Sequence, residues 1–209
     1  MIYIGIDFSL TSPAICVYKN DKYTFISFFN DCGKDWKHSK SKNYRYHKDL
    51  CEIIDVIPYT RKIDDSIYRN EQRTKMDDAI MIANVIIEKL KTIIDGEVVI
   101  GLEGFSYGSI SSSTLDLAMY NSFLRMKLIE NFGSDCLNII SPTEGKKMLF
   151  GKGSAKKDDM IQSFIDNRLG DDILIKSALW QYCKMNGVDF KQPKPIDDLV
   201  DAYAILKSI

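Results

Sequence analysis

Met1-Ile-Tyr-Ile-Gly-Ile-Asp-Phe8 opens the chain as an apolar run with a single carboxylate, Asp7, embedded in it. A run of this kind reads as a buried β-strand. An acid inside it costs on the order of 1–3 kcal/mol, even when partly compensated, unless something neutralises it. A second apolar run, Val98-Val-Ile-Gly-Leu-Glu103, also ends in an acid. The third such place is Ile196-Asp-Asp-Leu-Val-Asp-Ala-Tyr-Ala-Ile205, the start of the predicted final helix. Asp198 and Asp201 stand three apart there and so face one side. Each has an ordinary explanation by itself: acids suit the positive end of a helix dipole, Glu103 can simply close a strand, and Asp7 can be a satisfied buried acid. The combination is more specific. No histidine or cysteine stands near these acids in sequence, which leaves hard, oxygen-seeking cations such as Mg²⁺ or Mn²⁺ as the natural compensation.

Working outward, Ile2 to Asp7, Ala14 to Tyr18 and Tyr23 to Phe29 predict three strands of an antiparallel meander, with Lys19-Asn-Asp-Lys22 as the clearest turn. Residues 31–71 break this pattern and read as an insertion, although Leu50 to Ile57 can form a strand. Met76, Ile80, Ala83, Ile87, Leu90 and Ile94 recur at helical spacing. Thr114 to Asn131 predicts a helix with two apolar stripes, Leu115/Ala118/Ser122/Met126/Ile129 and Leu117/Leu124/Leu128. A surface helix needs only one, so the second, with Leu124 and Leu128 taken as its outward face, suggests burial on two sides. Ser141-Pro-Thr-Glu144 has the form of a capping box, and Gly151-Lys-Gly153 stops the short helix it starts. Further helices are predicted for Ala155 to about Asn167, Leu174 to Asn186 and Ile196 to Ser208. Strands first, then alternating helices and strands, argue for one α/β domain over residues 1–209, with a mixed sheet of about five strands flanked by helices.

Composition narrows the classes. The chain has 209 residues, 45% hydrophobic and 27% charged, as in an ordinary globular protein. A net charge of −1 means that any nucleic-acid contact must come from local charge. Five cysteines without CxxC spacing argue against a zinc site or disulfide framework, and fit free thiols in a reducing cytoplasm. With no apolar run near membrane-spanning length, the reading is a soluble protein of the cytoplasm, or of the host-cell cytoplasm if the source is viral, with no membrane partner.

Phosphodiester hydrolysis gives such acids a purpose. Two divalent ions roughly 3.5–4 Å apart activate the attacking water and stabilise the leaving oxygen. Asp7, on a rigid strand, suits the bridging position, with Glu103 serving one ion and Asp198 and Asp201 the other. These segments resemble the RuvC-type Holliday junction resolvases of the RNase H-like superfamily. The likeness lies in Gly5-Ile-Asp-Phe-Ser9, Leu102-Glu-Gly-Phe105 and Asp198-Leu-Val-Asp201. A fourth segment, Phe150-Gly-Lys-Gly-Ser-Ala-Lys-Lys157, is similar to that family's glycine-rich, lysine-bearing loop. The resemblance runs nearly end to end, in family order. It implies an RNase H-like fold, Mg²⁺ (with Mn²⁺ able to substitute) at two ions per site, and Asp7, Glu103, Asp198 and Asp201 as ligands and catalytic residues. It also implies a homodimer that cuts branched DNA, most of all the four-way junction. Asp197, next to Asp198, is the alternative ligand if the helix is rotated.

The glycine loop has a physical role of its own, because glycines let backbone approach phosphate closely and a helix start supplies free N–H groups. Lys146, Lys147, Lys152, Lys156 and Lys157, with Ser154 among them, form a basic stretch free of acids between Gly145 and Lys157. They are candidates for DNA backbone contact. A second basic region, Lys34 to Lys48, interleaves Trp36, Tyr44 and Tyr46 with its charges. Phe105 and Tyr107 follow Glu103, where the resembled family places an aromatic that inserts at the junction crossover. Two other classes fit parts of the sequence. A DNA-structure binder with a decayed site is one. The other is an actin-like or sugar-kinase phosphate-binding fragment, suggested by Gly5-Ile-Asp-Phe-Ser-Leu-Thr11, although 209 residues are too few for the two domains such an enzyme needs.

Overall fold

Strand β1 (Ile2–Asp7) lies in the middle of a six-stranded sheet and sets the position of everything around it. The computed structural model describes residues 1–10, 12–30, 52–56, 67–105, 112–167 and 195–209. The other strands are β2 (Ala14–Lys19), β3 (Lys22–Asn30), β4 (Glu52–Val56), β5 (Val98–Glu103) and β6 (Leu137–Ile140), in the order β4-β3-β2-β1-β5-β6. The first three form the expected antiparallel meander. Asn20 and Asp21 both take positive φ (52° and 60°) between Lys19 and its partner Lys22. A two-residue hairpin loop needs that geometry to match the twist of its strands. β5 pairs parallel with β1, and β6 parallel with β5. This is a mixed α/β arrangement, with β4 added parallel to β3 at the edge.

Helices cover both faces. On one face, α1 (Ile67–Ile93) and α2 (Ser112–Phe132) bury Ile82, Ile86, Leu90, Leu124 and Leu128 against Ile4, Ile6, Ile15, Ile26, Phe28 and Leu102 of the sheet. The roles of the two α2 stripes are therefore the reverse of the expectation. Leu124 and Leu128 are fully buried in this core, while Leu115, Met126 and Ile129 are 62%, 45% and 45% exposed. Both stripes are apolar, so periodicity alone could not tell inward from outward.

On the other face lie α3 (Pro142–Phe150), α4 (Lys157–Asn167) and α5 (Ile196–Leu206). Their core joins Leu149, Phe164, Leu199, Val200 and Tyr203 to Ala14, Cys16 and Phe25. Phe164 meets Tyr203 edge-on at 5.0 Å and Phe25 at 6.2 Å, tying α4, α5 and β3 together. The Ser141 cap and its reciprocal Glu144 bond start α3 as the sequence predicts, and Gly151 ends it at φ 84°. Among the described residues no helix is long and apolar enough to cross a membrane. The helix expected at Leu174 to Asn186, the basic region from Lys34 to Lys48 and Tyr107 lie outside the described residues.

Candidate acid-cluster site

The pleat places the two strand acids. Successive residues of β1 point to opposite faces, so Ile2, Ile4 and Ile6 enter the α1/α2 core while Gly5 and Asp7 face α5. In the parallel register Gly5 lies beside Gly101 and Ile6 beside Leu102, and one step further brings Asp7 level with Glu103. The two glycines make a shelf for α5. A methyl group on Gly5 would stand 2.1 Å from the Ala202 carbonyl oxygen and 2.5 Å from the Leu206 nitrogen. One on Gly101 would stand 3.0 Å from the Ile205 side chain. Helix backbone thus rests directly on strand backbone, bringing Asp198 and Asp201 toward the carboxylates two residues beyond the shelf.

The structure unites all four predicted acids electrostatically. Asp7 is buried, and burial is the main reason its carboxyl is held well above the usual range. The charges of Glu103, Asp201 and Asp198 push in the same direction, and Asp7 shares a hydrogen bond with the Glu103 carboxylate. Burial also raises Glu103, opposed by that hydrogen bond and by the nearby Lys146 and Lys157 ammonium groups. Asp201 is raised to about 7, first by burial and then by Glu103. Lys157 opposes this shift, while Asp198 and Asp197 add to it. Such a cluster favours added positive charge: protons when nothing else is bound, or a hard cation on its oxygens.

Two side chains around the acids, Ser12 and Asn121, carried no recognisable signal in the sequence. Ser12, nearly buried, donates from Oγ to Asp198 Oδ2 at 2.8 Å, and its own backbone N–H donates to Ser9 Oγ at 3.0 Å. Asn121 on α2 donates to the Glu103 carbonyl at 3.2 Å, fixing the end of β5. Asp197 faces away from Ser12 and forms an ion pair with Lys157 at the start of α4. Ser12 and Asp198 are 186 positions apart, and nothing local to either announces the pairing.

The predicted nucleic-acid residues are divided. Lys146 and Lys157 lie close enough to act on Glu103, while Lys147 on α3 and Lys152, Ser154 and Lys156 in the α3–α4 connection are exposed. The start of α4 is less open to phosphate than the sequence suggested. Asp158 and Asp159 occupy its first turn, and Asp159 accepts from the Lys156 backbone N–H at 2.9 Å. Phe105 is partly buried with the Arg125 guanidinium 4.7 Å from its ring centroid, a cation–π contact that holds the ring at the end of β5.

Among the described residues no group of three or more His, Cys, Asp or Glu side chains is set to grip an ion as it stands. Asp7 and Glu103 instead bond to each other, and Ser12 holds one oxygen of Asp198. The donor set still fits a hard divalent ion, being all carboxylate and crowded, with burial and mutual repulsion outweighing the nearby lysines at Glu103 and Asp201.

A pH dependence follows from these shifts. Acids whose folded pKa is raised bind more protons in the folded chain than in the unfolded one, so stability falls as pH rises toward about 7. Thermal unfolding in chelator should give a distinctly higher midpoint near about pH 5.5 than near about pH 8. A flat profile across that window would remove the electrostatic account of the cluster.

No family model matches the sequence, and no curated protein does either. Among solved structures, RuvC of Thermus thermophilus matches 100% of this chain and 92% of its own, at 12% identity and a TM-score of 0.49. The T. thermophilus RuvC structure in complex with a Holliday junction substrate matches over the same shares, at 14% identity and a TM-score of 0.47. Similarity this distant leaves the chemistry to be argued from the acids themselves.

Proposed function

We propose that this chain is a single-domain, metal-dependent endonuclease that cuts branched DNA, the four-way junction above all, by phosphodiester hydrolysis. The observation that carries the reading is the convergence of Asp7, Glu103, Asp198 and Asp201, from two strands and a helix, into one cluster that favours added positive charge. In this reading these residues hold two Mg²⁺ ions, or Mn²⁺ in their place. Bound ions would supply Lewis-acid activation of water and charge stabilisation at phosphorus. The chain's own contributions are distinct. The glycine shelf sets the distance between the helix acids and the strand acids. Ser12 keeps Asp198 turned into the cluster. Lys146 and Lys157 bring positive charge to the side of the site where a phosphate would lie.

The test is a panel of end-labelled four-way junction, fork, flap, duplex and RNA–DNA hybrid with Mg²⁺ or Mn²⁺. Preferred cutting of the junction supports the reading. Binding without cutting under any divalent ion would leave a DNA-structure binder in its place.

The exposed lysines of the α3–α4 connection are proposed to follow the DNA backbone, with Phe105 and Tyr107 nearer the junction centre. Replacing Lys152, Lys156 and Lys157 together with alanine should weaken binding to every DNA form and flatten the salt dependence by about two to three phosphate contacts. An unchanged slope of log affinity against log salt would make them a solvated surface.

We also propose that the active form is a homodimer. Resolving a two-fold junction needs paired nicks, and a two-fold dimer supplies both sites from one gene product. The exposed apolar stripe of α2, with Leu115, Met126 and Ile129, is the surface proposed for the interface. Met126→Glu with Ile129→Glu should give folded monomers that nick junctions but seldom make paired cuts. Sedimentation showing wild-type monomers at micromolar concentration, with and without junction DNA, would contradict the dimer.

A further inference from the structure

Asp197 and Asp198 are neighbours in the first turn of α5, yet they do different things. Consecutive residues on a helix point about 100° apart. Asp198 therefore turns to Ser12 and the acid cluster, while Asp197 turns to Lys157. The Asp197 side chain is 1% exposed and that of its lysine partner 45% exposed. A carboxylate so fully withdrawn from water needs a partner, since an uncompensated buried charge is strongly destabilising. The consequence for the lysine is positional. Its four-carbon stem would otherwise sample many rotamers, but this anchor keeps the ammonium near Glu103 and Asp201, whose charges it opposes. A cation fixed beforehand at a place where negative charge gathers needs no reorganisation when the reaction occurs.

We propose that Asp197 is a positioning residue: its buried carboxylate holds the Lys157 ammonium at the edge of the acid cluster, poised for the phosphate that is cut. Asp197 is thereby assigned to the lysine and Asp198 to the cluster. The role rests on the nuclease reading above, and its test separates the two.

Asp197→Asn, Lys157→Ala and the double variant are compared on a labelled junction in single turnover at saturating protein. Junction affinity in Ca²⁺ and Mn²⁺ affinity without DNA are measured on the same samples. Each single variant should slow cleavage about ten- to a hundredfold, in the range seen when a supporting residue or a transition-state donor is removed. Mn²⁺ binding should stay within about threefold of wild type in both, and so should the junction affinity of Asp197→Asn, while Lys157→Ala should bind all DNA forms more weakly by about one phosphate contact. The double variant should be no slower than Lys157→Ala, because the aspartate acts through the lysine. Multiplying losses in the double variant would overturn the proposal. So would a loss of Mn²⁺ binding in Asp197→Asn as large as in Asp201→Asn, which would make Asp197 a ligand. If Lys157→Ala fails to fold because it leaves the Asp197 carboxylate buried without its cation, Asp197→Asn decides alone, since it leaves no buried charge, and a wild-type rate there would overturn the role. A wild-type chain that cuts no DNA overturns the nuclease reading itself, a result distinct from multiplying losses in an active protein.

Discussion

Gly5→Ala is expected to disable the protein although it adds a single methyl group and changes no charge. The new Cβ would lie 2.1 Å from the Ala202 carbonyl oxygen and 2.8 Å from the Leu206 Cβ. Two of the three nearest atoms are helix backbone, so no rotamer change relieves the clash and α5 must lift off β1. Overpacking a tight core commonly costs about 1–3 kcal/mol, and a backbone clash this close should cost about 3 or more. For a chain of this size that is a fall of roughly 10 °C in melting temperature. Cleavage should fall further than stability does, because the same displacement carries Asp198 and Asp201 away from Asp7 and Glu103. Gly96→Ala makes a useful control, since a methyl there meets nothing within 4 Å. Wild-type melting and wild-type cleavage by Gly5→Ala would show that α5 does not rest on the strand as described.

Asp7→Asn should have the opposite effect on stability and a larger one on activity. The carboxyl is buried among Glu103, Asp201 and Asp198, so removing its charge relieves repulsion and desolvation together. Without divalent ions near pH 8, the variant should melt above wild type. The gain should vanish as the pH is lowered and the wild-type carboxyl takes up its proton. Cleavage should drop roughly 10³-fold or more, the equivalent of the several kcal/mol a metal site supplies to the transition state. A variant both less stable than wild type at high pH and normally active would contradict the assignment twice over.

Much of this site can be read from the chain because its parts are local. The apolar run around Asp7, the matching run before Glu103 and the D-x-x-D spacing each declare an acid placed at the end of a buried element, and the pleat brings the first two together. The capping box at Ser141 and the hairpin at Asn20-Asp21 are equally local, and the structure has both. What escaped the sequence is what the fold brings together from a distance. Ser12 meets Asp198, Asn121 meets the end of β5, and Lys157 meets Asp197, all across separations that no spacing rule covers. Gly5 was visible as part of a motif, but its service as a seat for α5 depends on a helix nearly 200 residues later. The α2 stripes failed for a different reason: two apolar faces have the same period, and only packing decides which one turns inward.

The most direct test of the central claim is a four-way junction labelled on each strand in turn and incubated with the wild-type chain in Mg²⁺, in chelator, and in Mg²⁺ after Asp201→Asn. The account predicts paired incisions on opposed strands in the first reaction and intact junction in the other two. Incisions that persist in chelator, or that Asp201→Asn makes at the wild-type rate, would contradict it.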